Sequence, residues 1–273
     1  MKQLLNKWLK NNHLFNYGLN LTIFKQAIFK RILFKPSCLL CASRIESKAS
    51  NNHAICRPCL DDLPWHPTSS CPQCGLSSSG MVCGSCLNSP PDFDATKAIF
   101  LYAYPVNAMM QRYKYGSMLN LGDTFGEFLA EKINLGFSNL NHIDLLIPMP
   151  MHPQRLKERG FNQALEIAKV LNKILCKNHK EKLDYTKLDY TSVTRQTLTP
   201  PQASLPLKER VKNIKGAFKV NADKLDKFQG KRIAIIDDVM TTGASLNELA
   251  KTLKKAGASH VACWVIARTL PHQ

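Results

Sequence analysis

Two acids at the end of an apolar run give this sequence its first chemical handle. In Ile233-Ala-Ile-Ile-Asp237-Asp238-Val-Met-Thr241-Thr242-Gly243-Ala244-Ser245, four aliphatic residues lead into paired carboxylates and then into small and hydroxylated residues. The apolar stretch reads as a buried strand that delivers Asp237 and Asp238 to the carboxyl end of an α/β sheet, where such sheets bind ligands. Residues 241–245 then open a helix, whose first backbone N–H groups and dipole form an anion seat. The Thr and Ser hydroxyls add donors, and Gly243 lets the backbone come close to a ligand. Carboxylates beside an anion seat repel the anion unless they address sugar hydroxyls or a divalent cation. A phosphorylated ribose satisfies both demands.

A second set of residues speaks for metal. Eight of the ten cysteines form four C-x-x-C pairs: Cys38 with Cys41, Cys56 with Cys59, Cys71 with Cys74, and Cys83 with Cys86. Each such turn offers two sulfurs to one ion, and two turns close a tetrahedral site of the structural kind. Sequential pairing into two zinc ribbons is the preferred reading; interleaved pairing is the alternative that the sequence leaves open. Cysteines bracing a secreted domain would favour bridges that close long loops, whereas metal-bound thiols imply a reducing, cytoplasmic compartment. With four ligands already supplied per ion, His53 and His66 read as surface or packing residues. Cys176 and Cys263 sit in apolar patterns and read as buried.

The elements that must position these groups follow from composition and periodicity. With 273 residues, 44% of them hydrophobic, the chain is no disordered polymer. Its net charge of +17 argues for a phosphate-bearing or otherwise acidic partner. Residues 1–35 hold seven Lys/Arg and no acid, residues 36–94 hold three against five, and residues 95–273 hold 27 against 15. Three zones result: a basic extension over 1–35, a cysteine-rich module over 36–90, and a regular domain over 95–273. In the last, strands are expected at 95–104, 144–149, 232–239 and 260–267, with weaker ones at 191–195 and 217–220. Helices are expected over 117–134, 161–177 and 244–256. Strand–helix alternation with fully apolar strands means a parallel sheet covered by helices on both faces. Residues 178–216 are polar, carry Pro200, Pro201 and Pro206, and read as a lid or a disordered loop. No run is apolar enough to span a membrane, and the scattered charges of the extension do not read as a signal peptide. Residues 19–34 form a basic amphipathic pattern, read as a partner-docking or poorly ordered extension, with a peripheral membrane anchor as the alternative.

The acid-pair run resembles the signature of type I phosphoribosyltransferases that binds 5-phosphoribosyl 1-pyrophosphate (PRPP). That resemblance implies Asp237 and Asp238 on the ribose 2′- and 3′-hydroxyls, Thr241, Thr242, Gly243, Ala244 and Ser245 around the 5-phosphate, and Mg2+ with PRPP. Ile147-Pro-Met149-Pro150 ends a strand and is followed by Arg155, Lys157 and Arg159-Gly-Phe-Asn-Gln163. In that family the loop at this place holds pyrophosphate, which implies backbone at Met149 and Pro150 with Arg155 or Arg159. Farther on come Thr194-Arg195, Gln202, Leu205, Arg210-x-x-Asn213 and Ala217-Phe218. This ordered set, with the cysteine ribbons, is similar to the ComF family and its GntX/YhgH-like branch, over about Cys38 to Leu270. Met240 and Ser245 depart modestly from the usual pattern, where a smaller aliphatic residue and Thr are common.

The implied fold is a type I phosphoribosyltransferase-like parallel sheet flanked by helices, with a small N-terminal double zinc ribbon. The implied role is competence or DNA utilisation: handling incoming single-stranded DNA at the cytoplasmic side, with a competence helicase or another uptake protein as partner. An active phosphoribosyltransferase of nucleotide metabolism or salvage, with no direct DNA role, is the alternative. A zinc-stabilised scaffold whose pocket binds a nucleotide is a third. Arg195 and Arg210 are candidates to close over phosphates as a lid or to hold a nucleic-acid backbone. Tyr113, Tyr115 and Phe161 are candidates for base stacking, with core packing the stronger expectation for Phe161.

Overall fold

The computed structural model describes residues 37–45, 54–116, 118–136, 143–178, 186–198 and 214–271. By internal contacts the chain divides into two compact units, residues 1–57 and 58–273. In the first, the turn after Cys38 is closed by hydrogen bonds from Cys38 N–H to the Ser43 carbonyl at 2.8 Å and from Ala42 N–H to the Cys38 carbonyl at 2.9 Å.

The second unit is built on a five-stranded sheet in the order β1-β7-β6-β2-β3, with every pairing parallel. Its strands are β1 (Ala95–Leu101), β2 (Leu145–Pro148), β3 (Lys187–Leu188), β6 (Arg232–Met240) and β7 (His260–Arg268). The two central strands are the most apolar, as a strand covered on both faces requires. Ile233 to Ile236 and Val261 to Arg268 are all buried. On one face, Ile233, Ile235, Val261, Cys263 and Val265 share a core cluster with Leu246, Leu249, Ala250 and Leu253 of a helix. Strand residues between them point the opposite way, and the strands also contact the helices Asn120–Gly136 and Gln163–Asn178. Those two helices approach closely at Gly126, where a Cβ would lie 2.6 Å from Val170.

From residue 84 onward the α-helices in chain order are α1 (Gly84–Asn88), α2 (Val106–Tyr115), α3 (Asn120–Gly136), α4 (Pro153–Arg159), α5 (Gln163–Asn178) and α6 (Ala244–Lys255). The segment before β1 lies along that edge strand. Trp65 forms an antiparallel bridge with Phe100, His66 N–H donates to the Ile99 carbonyl at 2.8 Å, and Thr96 N–H donates to the Pro72 carbonyl at 2.9 Å. The β1 edge is thereby covered rather than left open to pair with another chain.

Several elements differ from expectation, each for a local reason. β1 stops at Leu101, because Ala103 N–H turns back to the Leu101 carbonyl at 2.9 Å. The next residues form α2, whose buried Val106, Met109, Met110 and Tyr113 follow a helical spacing. The segment after Met149 forms α4, with Pro153 at its first position and His152 Nδ1 accepting from Gln154 N–H as a cap. The weak strands β4 (Val193–Arg195) and β5 (Phe218–Val220) pair antiparallel with each other, outside the main sheet. Within the stretch read as irregular, β3 adds a fifth strand beside β2. The extension, including residues 19–34, lies outside the described residues, as do His53 and Arg210. Among the described residues no helix is long and apolar enough to cross a membrane.

Candidate functional site

Strand register brings the candidate residues together. Pro148 pairs with Ile236, and Met149 N–H donates to the Ile236 carbonyl at 2.8 Å. Met149-Pro150 and Asp237-Asp238 therefore leave the sheet side by side. Above them opens a cavity of about 500 Å³, lined by Met149, Pro150, Arg155, Arg159, Arg195, Asp237, Asp238, Thr241 and Ser245. Thr242, Gly243 and Ala244 form the loop between the last two. Gly243 sits at φ +79°, and a Cβ there would meet the Met240 methyl at 2.7 Å, so the turn into α6 admits only glycine without strain. Ala244 N–H donates to Thr242 Oγ1 at 3.2 Å, which orders the start of that helix.

The second loop is ordered by its own side chains. Gly160 takes the left-handed conformation that ends α4. Asn162 Oδ1 accepts from Leu165 N–H at 3.3 Å, and its Nδ2 donates to the Met149 carbonyl at 3.1 Å. One side chain thus starts α5 and ties it to the end of β2. Arg159 donates to Gln163 Oε1 at 2.9 Å and lies over the Tyr115 ring, 5.2 Å from its centroid. Arg155 pairs with Glu158 at 3.4 Å in an exposed setting, an interaction worth little by itself. Arg195 reaches the cavity from β4, with its guanidinium 5.6 Å from the Phe218 ring centroid.

The residue that sequence reasoning missed is Lys114. It enters from α2, and its Nζ lies 2.9 Å from an Asp238 carboxylate oxygen. Burial pulls its pKa down most strongly of any one cause, but the charge and hydrogen bond of Asp238 together with the charge of Asp237 outweigh it and hold the ammonium above the usual lysine value. Among the described residues, no cation forms such an ion pair with Asp237. Burial and then the charge of Asp238 push its carboxyl up to about 7, against the smaller pull of the Asp238 N–H, Lys114 and Arg195. The two acids thus differ: one is ion-paired, the other is poised to titrate near neutrality. The buried i, i+3, i+4, i+7 pattern of α2 was the signal that could have placed Lys114 on a helix facing the sheet.

The aromatic candidates separate cleanly. Tyr113 is fully buried, its hydroxyl donating to the Gln163 carbonyl at 3.0 Å. Phe161 packs on it with ring centroids 5.5 Å apart. Tyr115 is 75% exposed at the cavity wall.

The eight paired cysteines fall into two groups, Cys38/Cys41/Cys56/Cys59 and Cys71/Cys74/Cys83/Cys86, with the sulfurs of each group within 4.8 Å of one another. This is the sequential pairing. Cys41–Cys56 and Cys74–Cys83 sulfurs stand 3.6 Å apart, close to the edge of about 3.8 Å expected for a tetrahedron with Zn–S near 2.3 Å. Backbone N–H groups point at sulfur, from Cys56 to Cys38 Sγ at 3.3 Å and from Cys83 to Cys71 Sγ at 3.4 Å. Burial raises the Cys71 thiol, but N–H donors from Cys74, Cys83 and Gln73 outweigh it and bring the pKa to about 6. Both quartets fit zinc. His66 is a packing residue, its ring nitrogen 2.8 Å from the Gly75 carbonyl. Cys263 is fully buried and Cys176 half-buried.

Comparison with known proteins agrees with both halves of this picture. A family model described as a double zinc ribbon domain matches residues 29–87, and one described as a phosphoribosyl transferase domain matches residues 158–271. The chain joins a double zinc ribbon to a phosphoribosyl transferase domain. Competence protein F of Haemophilus influenzae is 29% identical over 239 residues, which cover 86% of this chain and 98% of that protein. DNA utilization protein YhgH of Escherichia coli is 29% identical over 237 residues, covering 85% and 97%. Competence protein ComFC of Streptococcus pneumoniae is 22% identical over 242 residues, covering 85% and 99%. The transferase match includes the acid pair, Thr241 to Ser245, Arg159 and Arg195. Lys114, Met149 and Arg155, which complete the cavity, precede its first residue.

Proposed function

We propose that the cavity at the carboxyl ends of β2 and β6 binds PRPP or a nucleotide, and that the protein uses this site in handling incoming single-stranded DNA in the cytoplasm. The observation that carries the ligand reading is one wall holding both acids, Thr241, Ser245 and three arginines. A phosphorylated sugar needs this combination: carboxylates accept from the ribose hydroxyls, the loop before α6 donates to the 5-phosphate, and Arg155 and Arg159 neutralise a pyrophosphate. Magnesium bound with PRPP supplies further neutralisation of the phosphates. The transfer itself passes through an oxocarbenium-like centre and needs no protein nucleophile, so the residues act by positioning and charge stabilisation.

The DNA role is drawn from the relatives' names, competence protein F and DNA utilization protein YhgH, and is supported by the chain's net charge of +17. A DNA phosphate brings no 2′-hydroxyl for the carboxylates of Asp237 and Asp238 to accept from, so the acid pair favours a ribose phosphate in the pocket itself. Calorimetry with Mg-PRPP tests the ligand reading. Two hydrogen-bonding carboxylates are worth about 3 kcal/mol together, so Asp237→Asn combined with Asp238→Asn lowers affinity about a hundredfold. Binding that survives the double change would remove the phosphoribosyl assignment. Because the acid pair is complete, turnover without a DNA role is the second reading. A screen for pyrophosphate release across nucleobases and single-stranded DNA separates the two.

A further inference from the structure

Arg268, the last residue of β7, is only 4% exposed. A charge that deep persists only where it is hydrogen-bonded, and its partners come from two places. Its Nε donates to the Cys74 carbonyl at 2.9 Å. One terminal nitrogen donates to the carbonyls of Met240 at 3.0 Å, Thr241, and Thr269 at 3.0 Å. Cys74 belongs to the second cysteine quartet, while Met240 and Thr241 lead into the loop read above as the phosphate seat. A single planar guanidinium therefore spans the metal knuckle and that loop.

We propose that Arg268 is a positioning residue that makes the conformation of the phosphate loop depend on zinc in the second quartet. The knuckle is small and tightly set. Gly75 N–H donates to the Cys71 carbonyl at 2.9 Å, and Cys71 N–H to the Leu76 carbonyl at 2.8 Å. Gly75 has φ +71°, and a Cβ there would stand 3.1 Å from Thr96 and 3.8 Å from Arg268 Cδ. The knuckle's apolar cluster consists of the cysteines themselves with Leu76, so the four sulfurs hold its shape through their shared ion. Without the ion the turn relaxes and the Cys74 carbonyl leaves its place. The guanidinium then re-aims, and the Thr241 carbonyl loses the donor that fixes the start of the loop. The rigid planar fork of arginine suits this bridging; the single ammonium of lysine reaches fewer of the four carbonyls.

The test is hydrogen–deuterium exchange on the full chain, reading peptides over 238–247 against the strands at 145–148 and 233–236. In the wild type, a zinc-selective chelator accelerates exchange in 238–247 by about tenfold while both strands stay protected. Arg268→Met, with two zinc ions retained by elemental analysis, shows the same acceleration, and chelation then adds little. Arg268→Lys falls between; if the methionine variant does not fold, the lysine variant carries the comparison. Unchanged exchange in 238–247 on chelation, or wild-type exchange in zinc-loaded Arg268→Met, would overturn the coupling. So would uniform acceleration across the strands, which would mean that zinc holds the whole unit rather than the loop. The proposal rests on the ligand reading above only for the name of the loop. A wild type that shows the exchange pattern but does not bind Mg-PRPP by calorimetry keeps the coupling and refutes the ligand.

Discussion

The second cysteine quartet and the cavity are stabilised by different means. The quartet draws its ligands from 16 consecutive residues, Cys71 to Cys86, and has almost no apolar interior beyond the cysteines and Leu76. The cavity takes residues from α2, the segment after β2, α4, α5, β4, β6 and α6, and stands on a sheet whose central strands are buried over Ile233 to Ile236 and Val261 to Arg268. One has the ligands to be held by an ion, the other is held by apolar area. Damage to each should therefore show in a different measurement, and Arg268 is where the two meet.

The largest expected effect separates them directly. Ile235→Ala, at a fully buried position of β6, costs about 2–5 kcal/mol of stability and leaves zinc at two ions per chain. Cys86→Ser instead lowers zinc to one ion per chain. Thermal denaturation alongside elemental analysis reads both, and a core variant that loses zinc first would erase the distinction. Next in size is Lys114→Met, which leaves Asp238 without its ion-pair partner. Its expected cost is about 1–3 kcal/mol by denaturant titration, with zinc content unchanged.

The smallest effect is a pH dependence. The Asp237 carboxyl is raised from 3.8 to about 7, so the folded state holds its proton where the unfolded chain has already released it. The stability this gives is complete below pH 3.8 and is lost as pH rises through about 7. Asp237→Asn abolishes the dependence, so its melting temperature gains on the wild type between pH 4 and pH 7.5. Mg-PRPP binding runs the other way in the wild type, strengthening as the carboxylate forms. A wild-type and variant pair with parallel melting curves across that range would show that the carboxyl is not raised.

What could be read without coordinates follows the same division. The four C-x-x-C pairs and the Asp237–Ser245 run were legible because each is local, defined by spacing and by one strand–turn–helix transition; which pairs share an ion was not, since spacing allows both arrangements. Lys114 was not, because it matters only through a residue 124 positions away, and α2 was passed over despite its buried Val106, Met109, Met110 and Tyr113. The short strands at 193–195 and 218–220 were found but not their partnership, since three residues carry no period that says whether they join the main sheet or each other. Arg268 falls just past the strand expected at 260–267 and was not singled out. Its meaning depends on four carbonyls that no side-chain pattern encodes.

The lysine seated on Asp238 has one more consequence. With a resident ammonium in contact, that carboxylate arrives at each encounter already neutralised, and its neighbour is half-protonated near pH 7. The pocket is thus a weak lure for stray divalent ions, and on the proposed reading a sugar phosphate carrying its own metal has to displace a tethered cation to reach Asp238. Selectivity would begin with that exchange.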